Sequence, residues 1–339
     1  MSRTLKDLLA TGAYDAPALG APGRPPLDYR GLRAVIADTL TTLNALDIGR
    51  GDRVAIVLNN GPEMAACYMA CASGVTSAPL NPAYRADEFE FYLQDLNAKA
   101  LIVEAGSASP AVAVAQKLGV RLIDLVAPTD GPAGAYSLVA RDGATASAAA
   151  ENGGFAHPDD VSMVLHTSGT TSRPKIVPLS QANLVASATH IGRTLRFTPG
   201  DRGLNIMPLF HIHGLIAGIL APLSAGSFVF CTPGFNALKF FAWMDEAQPT
   251  WYTAVPTMHQ AILSRAGKNA DVIARHPLRF IRSSSSSMPP QVIAELEQVF
   301  GAPLIESYGM TEATHQMASN PLPPAVRKPG TVGIAAGPE

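Results

Sequence analysis

The 339-residue sequence is poor in charge, with Asp, Glu, Lys and Arg making up only 15% of it, and it holds only three cysteines. The net charge is -2 and no basic run interrupts the chain, so bulk charge disfavours a partner with a nucleic-acid backbone, and no nucleic acid is expected. No apolar run approaches the roughly 20 residues that cross a bilayer, so no membrane span is expected. The opening MSRTLKDLLATGAYDAP has one short apolar cluster and no cleavage region, unlike a secretion signal. Cys67, Cys71 and Cys231 cannot build a disulfide framework, and no other ligand cluster surrounds them. Cys67 and Cys71 share one face of a predicted helix, where cysteine packs as a small apolar residue. A fixed-period repeat is also lacking. What is left suits a soluble protein of a reducing compartment, and a cytoplasmic location is expected.

Hydrophobic residues are plentiful at 47%, enough for a sizeable core. Between Gly and Pro punctuation runs a strand–helix alternation. DRVAIVLNN (52–60) reads as a buried strand, and PEMAACYMACASG (62–74) as a helix with Pro62 in its first turn. NAKALIVEA and KLGVRLIDLVAP read as further strands, so the fold class is α/β. From about Asp130 to Gly154 the chain is rich in Ala, Gly and Ser with weak periodicity, and a surface connection is expected there. Order resumes at VSMVLHTSGTTSRPK, and SQANLVASATHIGRTL reads as a helix capped by Ser180. The serine run 283–287 lies between strand-like LRFIR and helix-like PPQVIAELEQVF, which makes it a tight strand-to-helix turn.

Three segments carry chemistry. Thr167-Ser168-Gly169-Thr170-Thr171-Ser172-Arg173-Pro174-Lys175 follows the strand VSMVL and precedes a helix. Its hydroxyls, glycine and backbone N–H groups can wrap phosphate oxygens, and its lysine adds compact positive charge. An ordinary P-loop is excluded, because Pro174 stands where the second glycine belongs and Ile176 follows the lysine. The competing reading is a Ser/Thr turn that caps the next helix. The second segment, Tyr308-Gly309-Met310-Thr311-Glu312, follows APLIES. A ring to stack on a purine, a close backbone approach, a hydroxyl for phosphate and a carboxylate for Mg2+ fit nucleotide binding, while a simple turn at a helix start fits as well. The third is Pro208-Leu209-Phe210-His211-Ile212-His213-Gly214. Its histidines lack an adjacent third ligand, so two structural histidines are favoured over a metal pair.

Together, and in this order, the three segments resemble the adenylate-forming family of acyl-CoA synthetases, luciferases and peptide-synthetase adenylation domains. TSGTTSRPK matches its phosphate loop, PLFHIHG its aromatic-histidine segment and YGMTE its adenine-and-magnesium segment, and the likeness extends to NPAYRADEFEFYL and WYTAVPT. Within the family the chain is most similar to the oxalate–CoA ligase branch of plants and yeast, with which it shares serine at 172, where most synthetases have glycine. The resemblance implies the large N-terminal domain of that fold: layered mixed β-sheets with surrounding helices plus a smaller distorted β-barrel. That domain is expected over 1–339, with approximate sub-regions 1–155 and 156–339.

The resemblance also implies an ATP- and Mg2+-dependent activation of a carboxylic acid to acyl-AMP, followed by transfer to coenzyme A. By the family's pattern Thr167, Ser168, Gly169, Thr170, Thr171 and Lys175 line the β/γ-phosphates, Thr311 meets the α-phosphate and Glu312 holds the metal. Tyr308 and Gly309 flank adenine, with Ser286, Ser287 and Glu306 along the rim. His211 orients the acyl group, and His213, Ser284, Ser285, Ser307 and His315 fall along the acyl pocket. Hydroxyls and imidazoles suit a short diacid better than an alkyl chain, because an unpartnered buried donor costs about 1–3 kcal/mol. Oxalate is therefore the expected acid. Malonyl-type or fatty-acyl ligation and a non-catalytic nucleotide-binding module are the alternatives. The family pattern continues past GTVGIAAGPE into a ribose-binding aspartate motif and a small lysine-bearing domain, so a truncated chain with weak or no activity of its own is expected, from a parent of about 500 residues.

Overall fold

A computed structural model describes residues 3–143, 149–167 and 174–337. A short helix α1 (Leu5–Leu9) leads into the hairpin β1 (Pro17–Ala21) and β2 (Arg24–Asp28), then helix α2 (Tyr29–Ala45), capped by the Asp28 side chain accepting from Gly31 N–H. Next come β3 (Arg53–Val57), α3 (Pro62–Ala72), β4 (Thr76–Pro79), α4 (Ala86–Asp95), β5 (Ala100–Glu104), α5 (Pro110–Leu118), β6 (Arg121–Val126) and β7 (Ser137–Ala140). The hairpin β8 (Val161–Thr167) and β9 (Lys175–Ser180) precedes α6 (Gln181–Thr194). β10 (Arg202–Asn205) is followed by a wide π-helical segment (His213–Leu220), α7 (Ala221–Leu223), β11 (Phe228–Cys231), α8 (Phe240–Ala247), β12 (Trp251–Ala254), α9 (Pro256–Ala266) and α10 (Ala270–Arg275). The described chain closes with β13 (Phe280–Ser283), α11 (Pro290–Phe300), β14 (Leu304–Met310), a single 3-10 turn (Thr311–Ala313), β15 (His315–Ser319) and β16 (Ile334–Ala335).

These strands form two mixed sheets, in the orders β7-β6-β5-β3-β4-β8-β9 and β16-β15-β14-β13-β12-β10-β11-β1-β2. Each is parallel at its centre and antiparallel at its edges. The sheets do not divide the chain at residue 155, since β1 and β2 join the later strands while β8 and β9 join the earlier ones. Both sheets are open at their ends, so the expected smaller barrel is not formed among the described residues.

Strand alternation sets the layers. On β3, Val54 and Ile56 point into the central core between the sheets, while Ala55 and Val57 face the outer cluster of α4 and α5. On the second sheet Trp251, Phe280 and Ile305 face the central core, and Tyr252, Ile281 and Leu304 face α8–α11. The central layer therefore holds α2, α3, α6 and the π-helical segment. Helix α3 is buried on every side from Met64 to Ala72, as its uniformly apolar sequence requires, and Cys67 and Cys71 are free, buried thiols within it. Among the described residues no helix is long and apolar enough to cross a membrane.

Two local expectations need correction. The stretch 130–154 is not only a surface connection, because β7 pairs antiparallel with β6. Its alternation is too short to read, with Leu138 buried and Val139 exposed. The hydroxyl-rich loop does not run into a helix either. It joins β8 to β9, where KIVPLS buries Val177 and Leu179, and the helix begins only at Gln181. Its cap is Ser180, which accepts from Asn183 N–H, so the alternative of a helix-capping hydroxyl loop falls.

Candidate active site

In the second sheet β10 connects to β11 on one side while β12 connects to β13 on the other. Such a reversal opens a crevice at the carboxyl ends of the two strands, the usual ligand position in open α/β sheets. The His-bearing loop 206–212 emerges there. Asn60, just past β3 in the other sheet, pins it: its side chain accepts from Leu209 N–H at 2.7 Å and donates to Met207 C=O at 3.0 Å. His211 stays exposed on this loop, and crowding by surrounding protein still holds its pKa below the ordinary imidazole value. His213, the first residue of the π-helical segment, is fully buried.

His213 does not stand alone. Thr253 and Arg282 are register partners on β12 and β13, on the same face as Trp251 and Phe280, so both project into the central layer. The Arg282 guanidinium is fully buried and donates to His213 Nε2 at 3.0 Å, to His315 Nε2 at 3.1 Å and to Gln316 Oε1 at 3.2 Å. His213 Nε2 lies 2.7 Å from Thr253 Oγ1, and His213 Nδ1 lies 3.1 Å from Ser285 Oγ. The two imidazoles stack, with ring centroids 5.0 Å apart. Burial, then the Arg282 charge, hold both histidines well below the ordinary imidazole pKa, so both are neutral. Burial pulls Arg282 down to about 9, which leaves it charged at neutral pH. No described carboxylate pairs with it, and its Nε has no partner.

Beside this cluster lies a cavity of about 300 Å3, lined by Ser283, Ser285, Ser286, Ser287, Glu306, Ser307, Tyr308, Gly309 and 330–332. The serine run is the expected strand-to-helix turn. Ser284 is buried and donates to Ser307 C=O at 3.1 Å, while Ser285, at φ 74°, turns the chain so that Ser285 to Ser287 stay exposed. Strand β14 runs through Tyr308 and Gly309 and does not stop at Ser307. Tyr308 is 48% exposed, which leaves its ring free to stack on a planar ligand. Glu306 accepts from Gly330 N–H at 2.8 Å, and burial raises its pKa.

The opposite wall is only partly described. Thr167 and Lys175 are paired residues closing the β8–β9 hairpin, whereas Ser168, Gly169, Thr170 and Thr171 lie outside the described residues. Strand β9, which begins at Lys175, comes within 8 Å (Cα–Cα) of the Thr311–Ala313 turn that carries Glu312. Both side chains are exposed, and neither has an ion pair among the described residues. No group of three or more His, Cys, Asp or Glu among the described residues could hold a metal by itself. A single carboxylate such as Glu312 still fits Mg2+, which takes one or two protein carboxylates and completes its shell with phosphate and water. The structure thus lines one cavity with Ser285–Ser287 and Glu306–Gly309, joins His213 to it through Ser285 and stacks His315 on His213, while Thr311 and Glu312 follow directly after β14. The sequence reading missed Arg282, Thr253, Gln316, Asn60 and 330–332. Arg282 had one signal: a charge at an inward position of an otherwise apolar strand.

The family model described as "AMP-binding enzyme" matches residues 10–338. An oxalate–CoA ligase of Arabidopsis thaliana is 41% identical over 347 residues, covering all of this chain and 66% of that protein. An oxalate–CoA ligase of Saccharomyces cerevisiae is 38% identical over 307 residues, covering 85% of this chain and 56% of that protein. The chain therefore spans between 56% and 66% of the length of these relatives. Among solved structures, ATP-bound MatB from Rhodopseudomonas palustris superposes with a TM-score of 0.82 at 27% identity, covering 99% of this chain and 65% of that one.

Proposed function

The chain belongs to the AMP-binding enzyme family, and from that membership we propose that the whole protein is an AMP-forming acid–CoA ligase for a small dicarboxylic acid, oxalate first and malonate next. One carboxylate oxygen of the acid attacks the α-phosphorus of ATP. A P–O bond forms, the α–β bridge breaks, and pyrophosphate leaves. The thiol of coenzyme A then attacks the acyl carbon, loses its proton, and AMP departs with the former carboxylate oxygen. In this reading Thr167, Ser168, Gly169, Thr170, Thr171 and Lys175 hold the β/γ-phosphates, and Thr311 meets the α-phosphate. Tyr308 stacks on adenine above Gly309, with Ser286, Ser287 and Glu306 at its rim. Glu312 would hold Mg2+, which supplies charge to the phosphate oxygens. His211 sits at the mouth to orient the acid, and His213, Ser284, Ser285, Ser307 and His315 form the acyl end.

The observation that carries the diacid reading is the polar acyl end itself. Two buried imidazoles, a buried guanidinium and a serine turn meet where a fatty-acid enzyme needs apolar walls. An alkyl chain there would cover the outward-facing hydroxyls of the serine turn without partners, at about 1–3 kcal/mol each. A second carboxylate accepts from those hydroxyls with charge assistance, while the imidazoles and the guanidinium stand behind them. The names of the two oxalate–CoA ligase relatives support the same choice. The test is an AMP-release panel with oxalate, malonate, acetate and octanoate, run on the native protein and on His213→Ala and His315→Ala. Oxalate should be the best acid, and either substitution should lower its kcat/KM far more than ATP affinity. Equal losses for oxalate and octanoate would refute the pocket assignment.

A further inference from the structure

Arg282 is a buried cation without an anion. Among the described residues it meets only neutral acceptors: two imidazole nitrogens, an amide oxygen and, at 3.4 Å, the Thr253 hydroxyl. Its Nε is buried and unpartnered, and none of its atoms reaches the cavity surface. A desolvated guanidinium normally sits against a carboxylate, because an unpaired buried charge is costly. The missing negative charge has to come from elsewhere, and the cavity lined by Ser283, Ser285 and Ser307 adjoins the cluster through the His213–Ser285 bond.

The hydrogen bonds also fix which ring nitrogens carry protons. A guanidinium N–H can only donate, so Nε2 of His213 and of His315 must each present a lone pair to Arg282. Each neutral ring then has its hydrogen on Nδ1. The His213 Nδ1–H donates to Ser285 Oγ, which turns the Ser285 hydroxyl hydrogen outward toward the cavity. The titratable groups facing the pair are Arg282 on β13, His211 on the loop after β10 and His259 on α9, and no carboxylate lies among them.

We propose that Arg282 is a specificity-determining positioning residue: a fixed positive charge behind His213 and His315 that locks both as Nδ1–H donors and selects a second carboxylate in the substrate without touching it. This rests on the acid–CoA ligase reading and deepens it. The bland competitor is a cross-link that merely ties β15 to β13.

The test compares native protein, Arg282→Met and Arg282→Lys by pyrophosphate exchange with oxalate and with acetate from pH 6 to 8. At an effective dielectric of about 20, a fixed unit charge behind the pocket wall is worth on the order of 10-fold or more. Arg282→Met should lower the oxalate-to-acetate ratio of kcat/KM by about that factor at pH 8. The deficit should persist toward pH 6, because burial, the larger cause of the lowered histidine pKa values, keeps both imidazoles neutral without Arg282. Arg282→Lys should recover most of the ratio. An equal loss with both acids, or no recovery in Arg282→Lys, would leave only the cross-link and overturn the proposal. Should Arg282→Met not fold, long-range 1H–15N spectra of the native protein decide: neutral Nδ1–H tautomers at both histidines at pH 6 support the proposal, and an Nε2–H ring at either overturns it. Native protein that prefers acetate to oxalate would sink the diacid reading itself. A Met variant that keeps the oxalate preference would sink the role of Arg282 alone.

Discussion

Acid should unfold this protein sooner than its modest charge suggests, because three histidines are buried neutral. His213 and His315 are held well below the ordinary imidazole pKa by burial and by Arg282, and burial takes His259 down to about 4. His259 sits under the second sheet with Nδ1 3.2 Å from the Tyr252 hydroxyl and Nε2 buried without a partner. A histidine whose folded pKa lies below its unfolded value takes up a proton on unfolding, so its contribution is intact above about pH 6.5 and is lost as the pH falls. Each such group removes about 1.4 kcal/mol per pH unit below 6.5, so His259 alone costs about 2 kcal/mol at pH 5. With His213 and His315 lowered in the same direction, the slope just below pH 6.5 is about 4 kcal/mol per pH unit, steep against the roughly 5–15 kcal/mol that holds a folded domain. Urea titrations at pH 7.5, 6 and 5, followed by fluorescence of the buried Trp243 and Trp251, measure this directly. His259→Leu should flatten the slope by about one third while losing roughly 1 kcal/mol at pH 7.5 for the missing Tyr252 bond. Equal stability at pH 7.5 and 5, or an unchanged slope in the Leu variant, would refute the reasoning.

Two further outcomes test the site's construction. Gly309→Ala would place a methyl 1.5 Å from the His315 carbonyl oxygen and 2.4 Å from its carbon, backbone atoms that cannot swing away. Strand β15 must then shift, so the thermal midpoint should fall by the equivalent of at least 1–3 kcal/mol, with weaker ATP binding in calorimetry; an unchanged midpoint would show that β14 and β15 do not pack as described. Glu306→Gln tests the buried carboxyl, whose raised pKa means that its stabilising contribution exists below the unfolded value near 4.3 and is lost as the pH rises through the folded one. The Gln variant should therefore melt a few degrees above the parent at pH 8 and lose that advantage by pH 4; the opposite order would mean that the Gly330 N–H bond outweighs burial.

The sequence made the layers readable where hydrophobic period is a local property. DRVAIVLNN and NAKALIVEA announce parallel strands because both of their faces are buried, and PEMAACYMACASG announces a helix packed on all sides. The hairpin after Thr167 was not readable, since Pro178 in KIVPLS argues against a strand until its place on the sheet edge is known. Strand β7 was hidden for a related reason: four residues with a single buried side chain carry no measurable period.

The site shows the same division between local and tertiary information. Ser284–Ser287 and His213 entered through the family resemblance, whereas Tyr308 and Gly309 could be singled out because they stand in a short segment whose chemistry is visible on its own. Arg282 could not, because its meaning depends on His213 from 69 residues before it and His315 from 33 residues after it. A charged side chain on an apolar strand normally argues against burial. Here the strand is central and the arginine is buried, so the expense of holding it there points to a ligand charge that the polypeptide does not supply. The same step explains why two histidines in an i, i+2 pattern were easy to dismiss. Only one of them, His213, turns inward, and its partner is not His211 but a third histidine reached across the sheet, which makes the pair a product of topology and not of spacing.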